Sequence, residues 1–356
     1  MAWVRKLPSG RFQGLYRDAT GRTRTTGTFA RKGDAKIAGD DQEGRQRRGE
    51  WIDPDLSRAT VEGRAAVWLE GARHTQPKTI ASYESLLRSR VLPAFGSREL
   101  RALKPSDITA WVGAMVSDGL STSRIRQAHV TLRLVLDSAV GDGYIARNPA
   151  VRIKLPKLEH REAPFFEPGV VDSLVDVGGR RYGALIAVMG VCGLRWGEAV
   201  ALRRRHVDVL RRRLVVEESL AEISGRLLFG TTKSHARRSV PLSPRVMALL
   251  VEAVDGKGRD DLIFNAPQGG PLRYRNFLAR VWHPTLKELG LPVVGVHVLR
   301  HSAAARMIQA GASAKTLQTV LGHRSASFSL TVYGHLFDAD LDALADRLDI
   351  PARKAE

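Results

Sequence analysis

The run YGALIAVMGVCGL, Tyr182–Leu194, is the longest apolar stretch of the chain, and Arg181 and Arg195 bracket it. A helix that crosses a bilayer needs about 20 apolar residues, so this one is too short and has to be buried inside a protein domain. A domain must therefore be built around it, and the residue directly after it is an arginine at the edge of a core. A guanidinium in that place is costly unless an anion meets it. Glu198, three residues on and on the same helical face, is one candidate, which makes a structural Arg195–Glu198 pair; an anion from outside the chain is the other.

Charge points to an outside anion. The 356 residues hold 56 Lys+Arg against 37 Asp+Glu, a formal charge of +19, and the pI is near 10.7. Such a chain is drawn to a polyanion, either nucleic acid or an anionic membrane surface. The N-terminus MAWVRKLPSG lacks the apolar core of a secretory signal. Cys192 is the single cysteine, which excludes a disulfide within the chain and a zinc site built on cysteines. These features predict an intracellular, cytoplasmic protein that binds nucleic acid, with no membrane attachment.

The length suits two or three domains. AWVRKLP, GRFQGLYRD and RTRTTGTF are separated by the turn signals PSG and DATG, and a charged helical stretch from Ala30 to Trp51 comes next. Residues 1–55 are thus expected to form a three-stranded sheet with one helix. Four helical segments fill 58–155, with Ser57 and Ser106 as expected N-caps and Ile125, Val130, Leu134 and Val135 as the apolar stripe of the fourth. After the proline-rich linker KLPKLEHREAPFFEPG, residues 165–356 mix helices (VVDSLVDV, RYGALIAVMGV, WGEAVALRRR) with β-type segments (RRLVVEESL, GRLLFGT, RRSVPL) and return to helix. The expected fold class is multidomain and mainly α with small β-sheets.

Two familiar chemistries fail on spacing. In GRLLFGTTKS the lysine comes three residues after Gly230, whereas a phosphate-binding loop needs it directly after the glycine. HVLRH sets His297 and His301 one helical turn apart, but a zinc-protease helix needs glutamate where Val298 stands. No metal or other cofactor is therefore expected. What remains is a set of cations and imidazoles: Arg195 with Glu198, Lys233 between two β-type segments and so at an expected hairpin tip, His297 with Arg300, His323 in LGHRS, and Tyr333 in LTVYGHL. Each taken alone is an ordinary core or surface residue.

Taken in this order, these residues resemble the tyrosine recombinase family, the phage integrases. That family carries an arginine before a glutamate-containing helix, a lysine on a β-hairpin, His-x-x-Arg, a Leu-Gly-His box and a tyrosine soon after. The resemblance spans about 165–345. Residues 58–155 resemble the family's core-binding domain and 1–55 its arm-type DNA-binding modules. One departure is Val298, where many relatives have an acidic residue.

The resemblance implies a site-specific DNA recombinase that integrates or excises DNA through a 3′-phosphotyrosine on Tyr333. One phosphodiester replaces another, so neither ATP nor metal is required. Arg195, Arg300 and His323 are expected to hold the phosphate oxygens, and His297 to accept or orient the tyrosine proton. Lys233 would protonate the leaving oxygen, while Glu198 would orient the site. The surrounding cations are expected to favour the phenolate. Expected partners are double-stranded attachment-site DNA, three further copies in a tetramer, a host DNA-bending protein and an excisionase-type directionality factor, with the protein on the bacterial nucleoid. The C-terminal DADLDALADRLDI could pack on a neighbouring copy or within its own chain. Arg5, Lys6, Arg11, Arg22 and Arg24 on the first sheet, and Lys78, Arg124 and Arg126 on the helical domain, are expected phosphate contacts. A type IB topoisomerase-like enzyme or a catalytically silent DNA-binding protein on the same scaffold are the alternatives.

Overall fold

A computed structural model describes residues 1–18, 21–49, 51, 58–158, 164–231, 237–323 and 325–336. Lys233 and the C-terminal segment 338–350 lie outside the described residues, as does the expected cap Ser57. The chain divides into two units, Met1–Glu159 and His160–Glu356.

The first unit opens with β1 (Trp3–Lys6), β2 (Phe12–Arg17) and β3 (Thr23–Phe29), antiparallel in the order β1-β2-β3. Gly10 and Gly21 sit at positive φ in the two turns, where glycine alone is unstrained. Helix α1 (Lys32–Arg47) lies on this sheet at Gly14, where a Cβ would stand 2.4 Å from the Ala35 carbonyl oxygen.

A helical cluster comes next. It contains α2 (Val61–Gly71), α3 (Pro77–Leu86), a π-turn leading into α4 (Leu92–Phe95), α5 (Pro105–Ser117) and α6 (Thr122–Gly141). Two local expectations are corrected here. Helix α5 starts at Pro105, before Ser106, because the Asp107 carboxylate accepts the Lys104 N–H at 2.9 Å and closes the first turn. The buried face of α6 runs through Ile125, Ala128, Leu132, Val135, Leu136 and Ala139, which leaves Val130 47% exposed.

The second unit is built on α7 (Pro168–Gly190), which bends at Gly179 (φ +55°, ψ −160°). Its last eight residues, Gly183–Gly190, are all buried, so the long apolar run forms a core helix as expected. Next comes α8 (Trp196–Ala199), a single turn. The longer helix expected over WGEAVALRRR stops there, because Leu202 and Arg203 pair in extended form with Ile263 and Leu262.

Five short strands succeed it: β4 (Val207–Asp208), β5 (Arg213–Val216), β6 (Glu218–Ile223), β7 (Arg226–Thr231) and β8 (Arg238–Pro241). They form two sheets, β4-β5-β8 and the hairpin β6-β7. The tip of the β6-β7 hairpin is at Ser224–Gly225, while Lys233, expected at a hairpin tip, lies outside the described residues.

Helices α9 (Pro244–Val254), α10 (Tyr274–Phe277) and α11 (His283–Glu288) pack on the core, the last two joined by a π-turn that carries the fully buried Trp282. The chain then reaches α12 (His297–Gln309), α13 (Ala314–Leu321) and α14 (Ala326–Tyr333). Gly190 lets α7 approach α12 closely, since a Cβ there would stand 3.2 Å from Leu299 Cδ2.

Gly193 turns the chain out of the core at φ +75°, and a Cβ there would lie 2.3 Å from Cδ2 of the fully buried Leu321. Strain and overpacking each cost about 1–3 kcal/mol. Gly193→Ala is therefore expected to destabilise the second unit by at least about 1 kcal/mol in urea unfolding, whereas Gly113→Ala, an exposed helical glycine with open space around it, should not.

Candidate active site

The apolar run ends at Leu194, and the next residue, Arg195, stands extended at the N-cap of α8. Glu198, in the first turn of that helix, is 2% exposed. Its carboxylate accepts the Arg195 backbone N–H at 3.0 Å and the Arg195 Nη1 at 2.8 Å. It also accepts both terminal nitrogens of Arg238, at 3.1 and 2.6 Å. Burial alone would raise the pKa of this carboxyl, but the hydrogen bonds and charge of Arg238, with Arg195, outweigh it and hold the pKa at about 2. Glu198 is thus an anion locked between two guanidiniums.

The third guanidinium comes from α12. Arg300, 2% exposed, donates to the Gly193 carbonyl at 2.6 Å and the Leu321 carbonyl at 2.7 Å. Arg238 Nε reaches the Val320 carbonyl at 2.9 Å and Arg195 Nη2 the Gly322 carbonyl at 3.3 Å. These carbonyls cluster at the C-terminus of α13, where unpaired oxygens and the helix dipole favour cations. Three guanidiniums against one carboxylate leave a formal +2. Burial, then Arg195 and Arg238, lower the Arg300 pKa to about 9, at which it is still a cation at neutral pH.

Helix α13 stops at Gly322 in the left-handed conformation (φ +66°), and the chain returns through His323. The His323 ring stacks over Tyr333 at 6.5 Å between centroids. Tyr333, the last residue of α14, is 3% exposed. Its hydroxyl lies 2.7 Å from His301 Nδ1. His297 sits one turn before His301, their rings edge-to-face at 4.9 Å.

Burial and neighbouring cations keep these imidazoles neutral. Burial, then His297 and Arg300, lower His301 to about 4. Burial, then Arg300 and Arg195, lower His323 to about 4. His297 moves down for the same reasons. Burial raises Tyr333 to about 12 against the pull of Arg300 and Arg195. The two cations thus pull toward the phenolate, as expected, but burial outweighs them.

Arg195, Glu198, His297, Arg300, His323 and Tyr333 thus come together in one place. Sequence reading misses Arg238 and gives His301 no catalytic part. The signal for Arg238 is strand parity: it alternates with the buried Val240 and Leu242 on the inner face, whereas Arg237 is exposed. By spacing alone, His301 reads only as a metal ligand.

His206, Glu217 and Glu218 form the one metal-capable cluster among the described residues. Cations of the protein already serve it: Arg203 and Arg205 pair with Glu218, and Arg237 with Glu217.

Of the expected DNA contacts, Arg24 is bonded to the buried Asp18 at 2.9 Å, and the Arg22 backbone N–H is bonded to the same carboxylate. Arg126 donates to the Pro156 carbonyl at 2.8 Å and Arg124 to Ser85 at 3.5 Å. Arg5 donates to Gln13 and Arg11 to the Thr28 carbonyl, while Lys6 and Lys78 are exposed.

The sequence profile of the phage integrase family matches residues 166–340, and that of the phage integrase N-terminal SAM-like domain matches 60–116. The integrase of Mycobacterium phage D29 is 27% identical over 282 residues, covering 77% of this chain and 74% of that protein. The putative prophage phiRv2 integrase of Mycobacterium tuberculosis (strain ATCC 25618 / H37Rv) is 27% identical over 362 aligned positions, 97% of this chain and 95% of that protein. Among solved structures, the Tn1549 transposon integrase bound to transposon right-end DNA has the same fold, with a TM-score of 0.71 at 22% identity over 82% of this chain and all of that one. A lambda integrase tetramer bound to a Holliday junction matches at 0.61 and 18% identity, over 91% and 96% of the two chains.

This geometry has two measurable outcomes. Arg238→Met leaves a buried carboxylate with half its partners, so it is expected to cost about 3–5 kcal/mol in urea unfolding; a loss under about 1 kcal/mol would contradict the buried pairing. The histidines give a pH dependence. His301 and His323 have folded pKa values of about 4 against 6.5 in the unfolded chain, so the unfolded state takes up protons first. Stability is complete above about 6.5 and falls as pH drops toward about 4. Glu198, at about 2 against 4.5, adds a loss from 4.5 downward. Thermal melting of the second unit should already fall between pH 7 and 5, and less steeply in His301→Gln; equal melting temperatures across that range would refute the assignment.

Proposed function

The chain belongs to the phage integrase family, and on that premise we propose that it is a site-specific DNA recombinase that cuts and rejoins strands through Tyr333. The observation that carries this reading is the convergence of Arg195, Arg300 and His323 beside a buried tyrosine hydroxyl, in a pocket with net positive charge.

A phosphate under attack gains charge on its non-bridging oxygens. Planar guanidiniums suit this because each can give parallel hydrogen bonds to two oxygens. Arg195 and Arg300 are already held rigid by the protein's own acceptors, so little ordering is left for the reaction itself. His323, stacked on the tyrosine ring, adds a further donor. The Tyr333 oxygen bonds to phosphorus, and the 5′-oxygen leaves with a proton from Lys233. In rejoining, a 5′-hydroxyl attacks the phosphotyrosine and Tyr333 is released. Glu198 acts by fixing Arg195, and His297 by packing against His301.

Residues 58–155 bind the core site, 165–356 form the catalytic part, and the sheet of residues 1–55 binds arm-type DNA. Four copies act on two DNA sites. The lambda integrase tetramer on a Holliday junction supports this assembly by likeness of fold. A host DNA-bending protein and a directionality factor set whether DNA is integrated or excised, on the nucleoid of the bacterial host. Among the described residues no helix is long and apolar enough to cross a membrane.

The test uses a pool of nicked duplexes of randomised sequence in EDTA, then denaturation and recovery of protein-linked DNA. Wild type should yield a phosphotyrosine adduct enriched for one sequence class. Tyr333→Phe should yield none, and Arg195→Ala should cleave about 10²–10³-fold more slowly. No adduct from wild type, or equal adduct from Tyr333→Phe, overturns the reading.

A further inference from the structure

We propose that His301 is a catalytic residue of this site, the group that takes the Tyr333 proton as the phenolic oxygen bonds to phosphorus. The inference rests on the recombinase reading above and assigns a step that the family resemblance gives to His297.

The first ground is contact. His301 Nδ1 lies 2.7 Å from the hydroxyl, within the range for proton transfer, and the tyrosine is 3% exposed. The nearby carboxylate is unsuitable as the acceptor: the Glu198 oxygens already accept four N–H donors from Arg195 and Arg238. His297 meets His301 ring to ring, so it can orient the acceptor or relay its charge.

The second ground is the placement of His301 directly after Arg300 on α12. Arg300 is fixed to the carbonyls of Gly193 and Leu321, so one helical turn carries both a phosphate clamp and the proton acceptor. The oxygen that attacks and the phosphorus it attacks are thereby held from the same rigid element.

Burial and the cations around it keep the ring neutral, and Nδ1 accepts from the hydroxyl in the tautomer whose proton is on Nε2. Such a weak base does not remove the proton in advance. In the step, the Tyr333 O–H bond breaks and the His301 N–H bond forms while the tyrosine O–P bond forms and the bond to the 5′-oxygen breaks. The 5′-oxygen takes its proton from Lys233. Rejoining runs in reverse, and His301 returns the proton to Tyr333.

The test uses the duplex selected by adduct capture, made with either oxygen or sulfur at the leaving 5′ position. Sulfur leaves without a proton, so it rescues defects in the acid but not in the base. His301→Ala and His301→Gln should bind this duplex within about twofold of wild type and form adduct about 10²-fold more slowly in a single turnover. The sulfur duplex should leave that deficit in place while it restores Lys233→Ala, and added imidazole should partly restore His301→Ala. His301→Gln keeps the volume, and its melting curve at pH 7 reports whether the site is folded. Wild-type rates in a folded His301 variant, full rescue by sulfur, or a loss explained by weaker DNA binding would each overturn the assignment. A wild type without adduct would instead strike the recombinase reading itself.

Discussion

The second unit depends on one buried anion. Without Glu198, Arg195 and Arg238 would face each other and Arg300 with only carbonyl dipoles to offset them. A full negative charge at 2% exposure is itself expensive, yet here four hydrogen bonds repay the desolvation. The arrangement also closes the fold. Arg195 and Gly322 are 127 residues apart in sequence, and Arg238 joins the strand region to the end of α13. The interactions that make the site are therefore the ones that hold its three segments in register.

This explains why the pocket can stay cationic without being unstable. Each guanidinium has five N–H donors. Arg300 spends two groups on carbonyls of Gly193 and Leu321, and Arg195 spends its own on Glu198 and Gly322. Rigidity thus comes from the protein's acceptors, and the formal +2 remains for a ligand. The tyrosine shows the opposite balance. Burial holds its proton on at about 12, while His301 beside it is a base of only about 4. The pair therefore rests as a neutral phenol hydrogen-bonded to a neutral imidazole.

Much of the architecture was legible because local chemistry decides it. PSG and DATG mark turns whose glycines do take positive φ, and the run ending at Leu194 is a buried helix. The order of Arg195, Glu198, His297, Arg300, His323 and Tyr333 was enough to collect a site. What escaped was set by tertiary placement. His297 and His301 share one helical face, and only the docking of α14 against α12 decides which imidazole meets the hydroxyl. Val130 fits a helical stripe yet faces outward, because its neighbours on other helices lie along Leu132, Val135 and Leu136. The strands flanking Lys233 read as a hairpin, but their partners are β6 and β5, on the far side of the single residue Glu217.

Gly322 shows how far a short motif can be reduced to such constraints. The left-handed φ of +66° ends α13 so that the Val320, Leu321 and Gly322 carbonyls face three different arginines. A Cβ at this glycine would stand 3.2–3.3 Å from the Arg238 side chain, tight against a guanidinium that cannot move without releasing Glu198. Leu321 must be apolar because it is fully buried beside Gly193, and His323 comes next because the turn brings it back over Tyr333. Arg238 is also the first residue of β8. The carboxylate that fixes Arg195 therefore also fixes the start of β8, which ties these two segments of the site to a single buried charge.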